Sequence, residues 1–208
     1  MNKLLYRVLR DLHLYLGLFV SPFVLVFAFS VFFLVHAWLP KAAPAGAARV
    51  ATDLALDSRL EQLSGRPLID ALRPTLDGAG VRGEVGWVQH LANERRYIIP
   101  VSVPGRITTV VLDLEKRQAS IEERNTGLAD VLVLLHKSPG PHLVGMRMNW
   151  FFMRAWWWLS DATVYLLLFT TVSGIYLWYV LRADRKPGFA MLIAGAISFL
   201  SLVYALVY

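Results

Sequence analysis

Five histidines carry the chemistry worth following in this chain: His13, His36, His90, His136 and His142. There is no cysteine. That excludes thiolate metal sites, iron–sulfur clusters, catalytic thiols and haem attached through a C-x-x-C-H motif. A haem in such a chain is b-type, held by imidazole nitrogen and by packing. His36, His136 and His142 flank apolar stretches in a way that could gather them near one membrane interface. His36 and His136 are the expected pair of iron ligands, with His142 the third candidate. Lys137, Arg147 and Arg154 are spaced to pair with propionates, and Trp150 and Phe151 to flank the ring. The competing reading is that these are amphipathic interfacial side chains, with His142 solvated in its Pro/Gly turn. His13 lies 23 residues before His36, roughly 35 Å along a helix, so the two cannot share an iron. It either takes its partner from a second subunit or hydrogen-bonds a backbone carbonyl or lipid phosphate. His90 ends an expected strand and reads as a surface residue.

The elements that must position these residues are apolar. Hydrophobic residues make up 56% of the 208 and charged ones only 17%, against about 25% charged in an ordinary soluble domain. Three segments stand out, at residues 12–38, 161–181 and 189–208, each near the roughly 20 apolar residues that cross a bilayer. The first is expected as a retained anchor, with a cleaved signal peptide as the competing reading. Trp156, Trp157 and Trp158 before the second segment, and Tyr176, Trp178 and Tyr179 at its close, match aromatic belts. Pro187-Gly188 separates the last two segments into a hairpin. Asp161, after Ser160, reads as a cap at the start of the second span, with proton transfer by an intramembrane carboxylate as the competing reading. Lys3, Arg7, Arg10, Arg182, Arg185 and Lys186 set the orientation by the positive-inside rule. The N-terminus is then cytoplasmic, while residues 41–155 and the C-terminus face the other side.

Between the first two spans the pattern is that of a small α+β module. Residues 41–50 read as an Ala/Pro/Gly linker, and a helix is expected from Asp53, capped by Thr52 and stopped by Gly65. A second helical piece follows at 67–76, with Pro74 bending or ending it. Strands are expected at 81–90, 96–103, 107–112 and 119–122, which in this order predicts an antiparallel sheet backed by helices. Residues 128–136 and 143–155 read as interfacial helices. The expected organisation is therefore 1–40 (N-terminal segment and first span), 41–127 (α+β domain), 128–158 (interfacial helices) and 159–208 (helical hairpin).

In this order the pieces resemble a known family. Leu12-His13-x-x-Leu16-Gly17-Leu18 opens the first span, Leu135-His136 follows the module, and Thr171-x-x-Gly174-x-x-Leu177-Trp178 closes the second span. The chain from about 7 to 181 looks like the PepSY-associated transmembrane family of bacterial inner-membrane proteins. The resemblance implies an α-helical membrane protein with a periplasmic PepSY-like domain. Some members of that family are b-haem ferric-siderophore reductases, so it also implies haem b and a haem-dependent ferric reductase as the candidate activity. Such reductases usually have more than three spans, which puts an independent electron path in doubt.

The favoured expectation is a b-haem redox protein, or a redox or accessory subunit of a membrane electron-transfer complex. The alternative is a non-enzymatic assembly or interaction subunit with a periplasmic partner-binding domain. Regulation of a periplasmic peptidase, which PepSY domains are proposed to perform, has no residue of its own to support it here. The expected partners are the lipid bilayer and other membrane subunits or further copies of the chain. No Gly-rich fingerprint follows a strand, so neither NAD nor FAD is expected. G-x-S-x-G and H-E-x-x-H are absent, and Glu122-Glu123, adjacent on a strand, point to opposite faces. Basic and acidic residues interleave outside the spans, so the net charge of +6 reads as topology signal and not as a nucleic-acid footprint.

Overall fold

The computed structural model describes residues 3–36, 46, 48–138, 145–181 and 185–207. Three of its helices are long and apolar enough to cross a membrane: α1 (Lys3–His36), α4 (Phe151–Val180) and α5 (Arg185–Val207). The chain divides into two units, one of residues 1–22 and 163–208 and the other of residues 23–162.

α1 continues through Pro22. Proline has no N–H for the carbonyl four residues earlier, which is that of Leu18. The Ser21 hydroxyl donates to that carbonyl at 2.9 Å, so the helix is not broken there. In the first unit, His13 and Gly17 of α1 meet Gly174 and Thr170 of α4. A Cβ on Gly174 would stand 3.3 Å from the His13 ring, so the missing side chain makes room for the imidazole. Pro187-Gly188 lies inside the first turn of α5, where proline's absent N–H costs nothing. The Phe189 ring meets Trp178 edge-on, with centroids 5.2 Å apart.

The second unit is built on six antiparallel strands: β1 (Arg49–Ala51), β2 (Glu84–Val85), β3 (Gln89–Leu91), β4 (Arg96–Val103), β5 (Arg106–Asp113) and β6 (Gln118–Asn125). The order is β1-β6-β5-β4-β2, with β3 also pairing β4. Alternation decides the faces. Tyr97, Ile99 and Val101 of β4, Val110 and Leu112 of β5, and Ala119 and Ile121 of β6 point to one side and are buried. Leu68, Ile69, Leu72 and Leu76 of α2 (Gly65–Gly78) recur at helical spacing and cover that side. The Tyr97 hydroxyl, carried into this core, donates to the Leu60 carbonyl at 2.9 Å.

Several expectations are corrected here. The stretch from Asp53 is not a helix; only a 3-10 turn at Leu60–Gln62 forms. Asp53 takes φ 55°, and the Leu54 N–H donates to Arg117, so this backbone is held by the sheet. Arg49 and Val50, expected as the end of the linker, form with Ala51 the edge strand β1 on β6. The expected strand at 81–90 is two short strands. Gly83, at φ 150°, lies so close to β4 that a Cβ would sit 2.8 Å from the Ser102 carbonyl oxygen. Pro74 lies within α2 and does not end it. α3 (Leu128–Lys137) forms as expected. Residues 145–150, expected as interfacial helix, are turn, bend and irregular chain. α4 starts at Phe151, so Asp161 lies well inside the helix, exposed, and caps nothing.

Candidate functional site

Two histidine–serine pairs join α1 to other helices, one in each unit. In the second unit, Ser30 is fully buried and donates its hydroxyl to the Phe27 carbonyl at 2.6 Å. His136 Nδ1, from the last turn of α3, lies 2.8 Å from the same Oγ. A hydroxyl has one proton. When that proton is on the Phe27 carbonyl, Ser30 Oγ accepts from the His136 Nδ1–H. The ring stands edge-on to Phe27, centroids 5.6 Å apart, and the Trp156 indole N–H donates to Leu135 at 3.0 Å. α3 is thereby fixed to α1 on one side and to the first turns of α4 on the other.

In the first unit the roles repeat. Ser173 Oγ donates to the Thr170 carbonyl at 3.3 Å and lies 2.9 Å from His13 Nδ1. His36 Nδ1 lies 3.0 Å from the Phe32 carbonyl, an acceptor only, so it too is protonated there. All three imidazoles are oriented through Nδ1, as a metal-ligating histidine is oriented through the nitrogen that does not bind the metal.

Two imidazoles on one iron must face each other across it. His36 and His136 do not. His136 is bound at Ser30, and His36 lies six residues further, about 9 Å along α1 and some 240° round it. The His36 ring instead lies over Phe32, with centroids 4.3 Å apart. Among the described residues there is no group of three or more His, Asp or Glu able to hold a metal. The donor chemistry fits single ligation through an Nε2; the arrangement does not fit a His36–His136 pair. His142 lies outside the described residues. Lys137 and Arg154 are exposed. Arg147 lines a cleft and its carbonyl accepts from Arg66 at 3.4 Å. Trp150 and Phe151 both neighbour Phe152, at 5.0 and 5.5 Å between centroids. His90 stacks on Tyr97, its cross-strand partner, at 4.4 Å.

A constellation not read from the sequence joins the sheet to α4. Glu84 of β2 is only 7% exposed. Its Oε2 accepts the Trp150 N–H at 2.9 Å, and its Oε1 accepts the Asn149 N–H at 3.3 Å. The amides just ahead of a helix lack intrahelical partners and attract negative charge, so Glu84 performs for α4 the role expected of Asp161. Met148, at φ 60°, turns the chain so that these amides face the carboxylate. Asn149 Oδ1 accepts the Val85 N–H at 3.0 Å, while Nδ2 donates to the Val85 carbonyl at 2.8 Å. Arg73 of α2 donates to Gly83 at 2.9 Å, to the Asn149 carbonyl at 3.1 Å and to Asn149 Oδ1. Burial pushes the Glu84 carboxyl up, against the pull of the Trp150, Asn149 and Met148 N–H groups and of Arg73. The only sequence signal for this cluster is an acid on a short strand after a glycine, which many solvated turns share.

Beside it is a cleft of about 180 Å³, lined by Glu84, Trp87, Leu134, Met146, Arg147 and Met153 among others. That is below the roughly 300–1,000 Å³ of ligand sites. Comparison with protein-family models, with curated proteins and with solved structures finds no match.

Proposed function

We propose that the chain is a non-enzymatic interaction or assembly subunit of a membrane complex. In this reading the three apolar helices lie in a bacterial inner membrane, with the N-terminus cytoplasmic and the sheet domain in the periplasm. The observation that carries it is the Glu84–Asn149–Arg73 clamp. A freely tethered domain needs no such joint; here side chains from β2 and α2 grip the residues that lead into α4. A partner that loads the sheet would therefore act on the beginning of a span. The test is purification of the full chain in mild detergent from its native membrane. A stoichiometric membrane protein is expected to co-purify, and to be lost from an Asn149→Ala chain that still folds. A chain that elutes alone at every detergent tried overturns the reading.

One observation favours a second reading, a b-haem electron carrier. His13 and His136 each engage a serine hydroxyl through Nδ1, so the bond that orients each ring does not use Nε2, the nitrogen that would ligate iron. The same purification from haem-replete cells decides it. A Soret band that shifts on dithionite reduction and disappears in His136→Ala supports it, and a colourless preparation overturns it.

A further inference from the structure

The groove between α3 and the end of the sheet is apolar within and cationic at its rim. It measures about 310 Å³, with Val103, Ile107, Val133 and Leu134 as its apolar wall and Arg124 and Lys137 as its cations. We propose that it binds one anionic phospholipid, the phosphate on Arg124 and Lys137 and the start of an acyl chain along Val133 and Leu134.

The position of α3 argues for lipid. His136 bonds Ser30, and Ser30 lies within residues 14–35 of α1, a run with no charged side chain. Leu135 is bonded by Trp156 of α4. Lys137 follows His136, is exposed, and so stands beside the apolar helices where a lysine extends its ammonium to the headgroup layer. Charge argues for an anionic one. Among the described residues, neither Arg124 nor Lys137 lies within ion-pair distance of a carboxylate, whereas Arg49, Arg95, Arg96 and Arg106 of the same domain do. The one acid lining the groove, Asp130, is seven residues before Lys137, about 10 Å along α3. Its Oδ2 accepts the Gly127 N–H at 3.2 Å and caps the helix. Ile107 and Arg124 are cross-strand partners, so the cation on β6 stands directly beside the apolar wall. The inference concerns a lipid contact of the sheet domain and stands whichever functional reading holds.

Native mass spectrometry of the full chain in mild detergent tests this, with phosphatidylglycerol or phosphatidylcholine of the same acyl chains added. One phosphatidylglycerol per chain is expected to be retained in preference to phosphatidylcholine, by about fivefold for each cation engaged. The Arg124→Gln/Lys137→Gln chain is expected to retain both lipids equally. Lys137→Arg should keep the preference, and Arg59→Gln, a distant surface change, should leave it untouched. Equal retention of the two lipids by the unaltered chain overturns the proposal, as does an unchanged preference in the double variant. Inorganic phosphate bound at these two cations with no lipid preference overturns it too.

Discussion

Asn149 pairs with Val85 as a neighbouring strand would: its side-chain oxygen takes the Val85 N–H at 3.0 Å and its side-chain nitrogen gives to the Val85 carbonyl at 2.8 Å. One amide thus closes the open edge of β2, where an unpaired strand would invite another chain. It also ties that edge to the residues that begin α4.

Asn149→Ala leaves the N–H and C=O of buried Val85 without these partners and removes an acceptor from Arg73. Each buried group left unpaired costs about 1–3 kcal/mol. The expected outcome is a loss of about 2–4 kcal/mol in the stability of the sheet domain, read as a lower urea midpoint for the full chain in detergent. A midpoint unchanged from the parent refutes the pairing.

Glu84 should give the fold a pH dependence of unusual sign. Its folded carboxyl is held above the ordinary value of 4.5, with burial the largest cause. The folded chain therefore binds this proton more tightly than the unfolded chain. Below about 4.5 both hold it and the contribution is complete; it is lost as pH rises through the raised folded value. Asp57 and Asp113 are shifted the other way, by hydrogen bonds from Arg59 and from Lys116 respectively. Their contribution is present above the ordinary aspartate range and disappears only in stronger acid. Between pH 5 and 8 the urea midpoint of the parent should fall relative to that of Glu84→Gln. Parallel curves would show that Glu84 is not the group responsible.

Ser30 and His136 should couple energetically. Ser30→Ala leaves the His136 Nδ1–H without its acceptor, and His136→Ala leaves Ser30 with its Phe27 bond alone. A double-mutant cycle on thermal unfolding in detergent should give about 0.5–1.5 kcal/mol of coupling. Additive effects would mean that the two helices are held by apolar contact only.

Two glycines of α5 should differ. A Cβ on Gly188 would run into the Trp178 ring, whereas one on Gly195 would meet nothing within 4 Å. Gly188→Ala must displace a large indole and is expected to lower the melting temperature and shift tryptophan emission. Gly195→Ala should leave both unchanged. Equal responses would refute the packing of Trp178 on the first turn of α5.

Much of the fold was legible because it rests on periodicity. The apolar runs, the Pro104-Gly105 turn between two strand-like stretches, and the β-branched residues at 107–111 are all local signals. The boundaries that depend on partners were not. Nothing local marks Arg49–Ala51 as a strand, because its pairing is with β6, some 70 residues away. Nor does anything local start α4 at Phe151: the carboxylate that satisfies its first amides comes from Glu84, so the Ser160-Asp161 pair, a good capping dipeptide by composition, was the more visible and the wrong choice.

The candidate site divides in the same way. Residue type alone excluded cysteine ligation of any haem and any catalytic thiol, and it singled out the three apolar segments. Which histidines meet was a tertiary matter. Ser30 and His36 are about one and two-thirds turns apart on α1, and α3 delivers His136 to the former. A hydrogen bond across 106 residues leaves no trace in the spacing of either partner. Burial, handedness and register had to be settled before the atoms in contact could be.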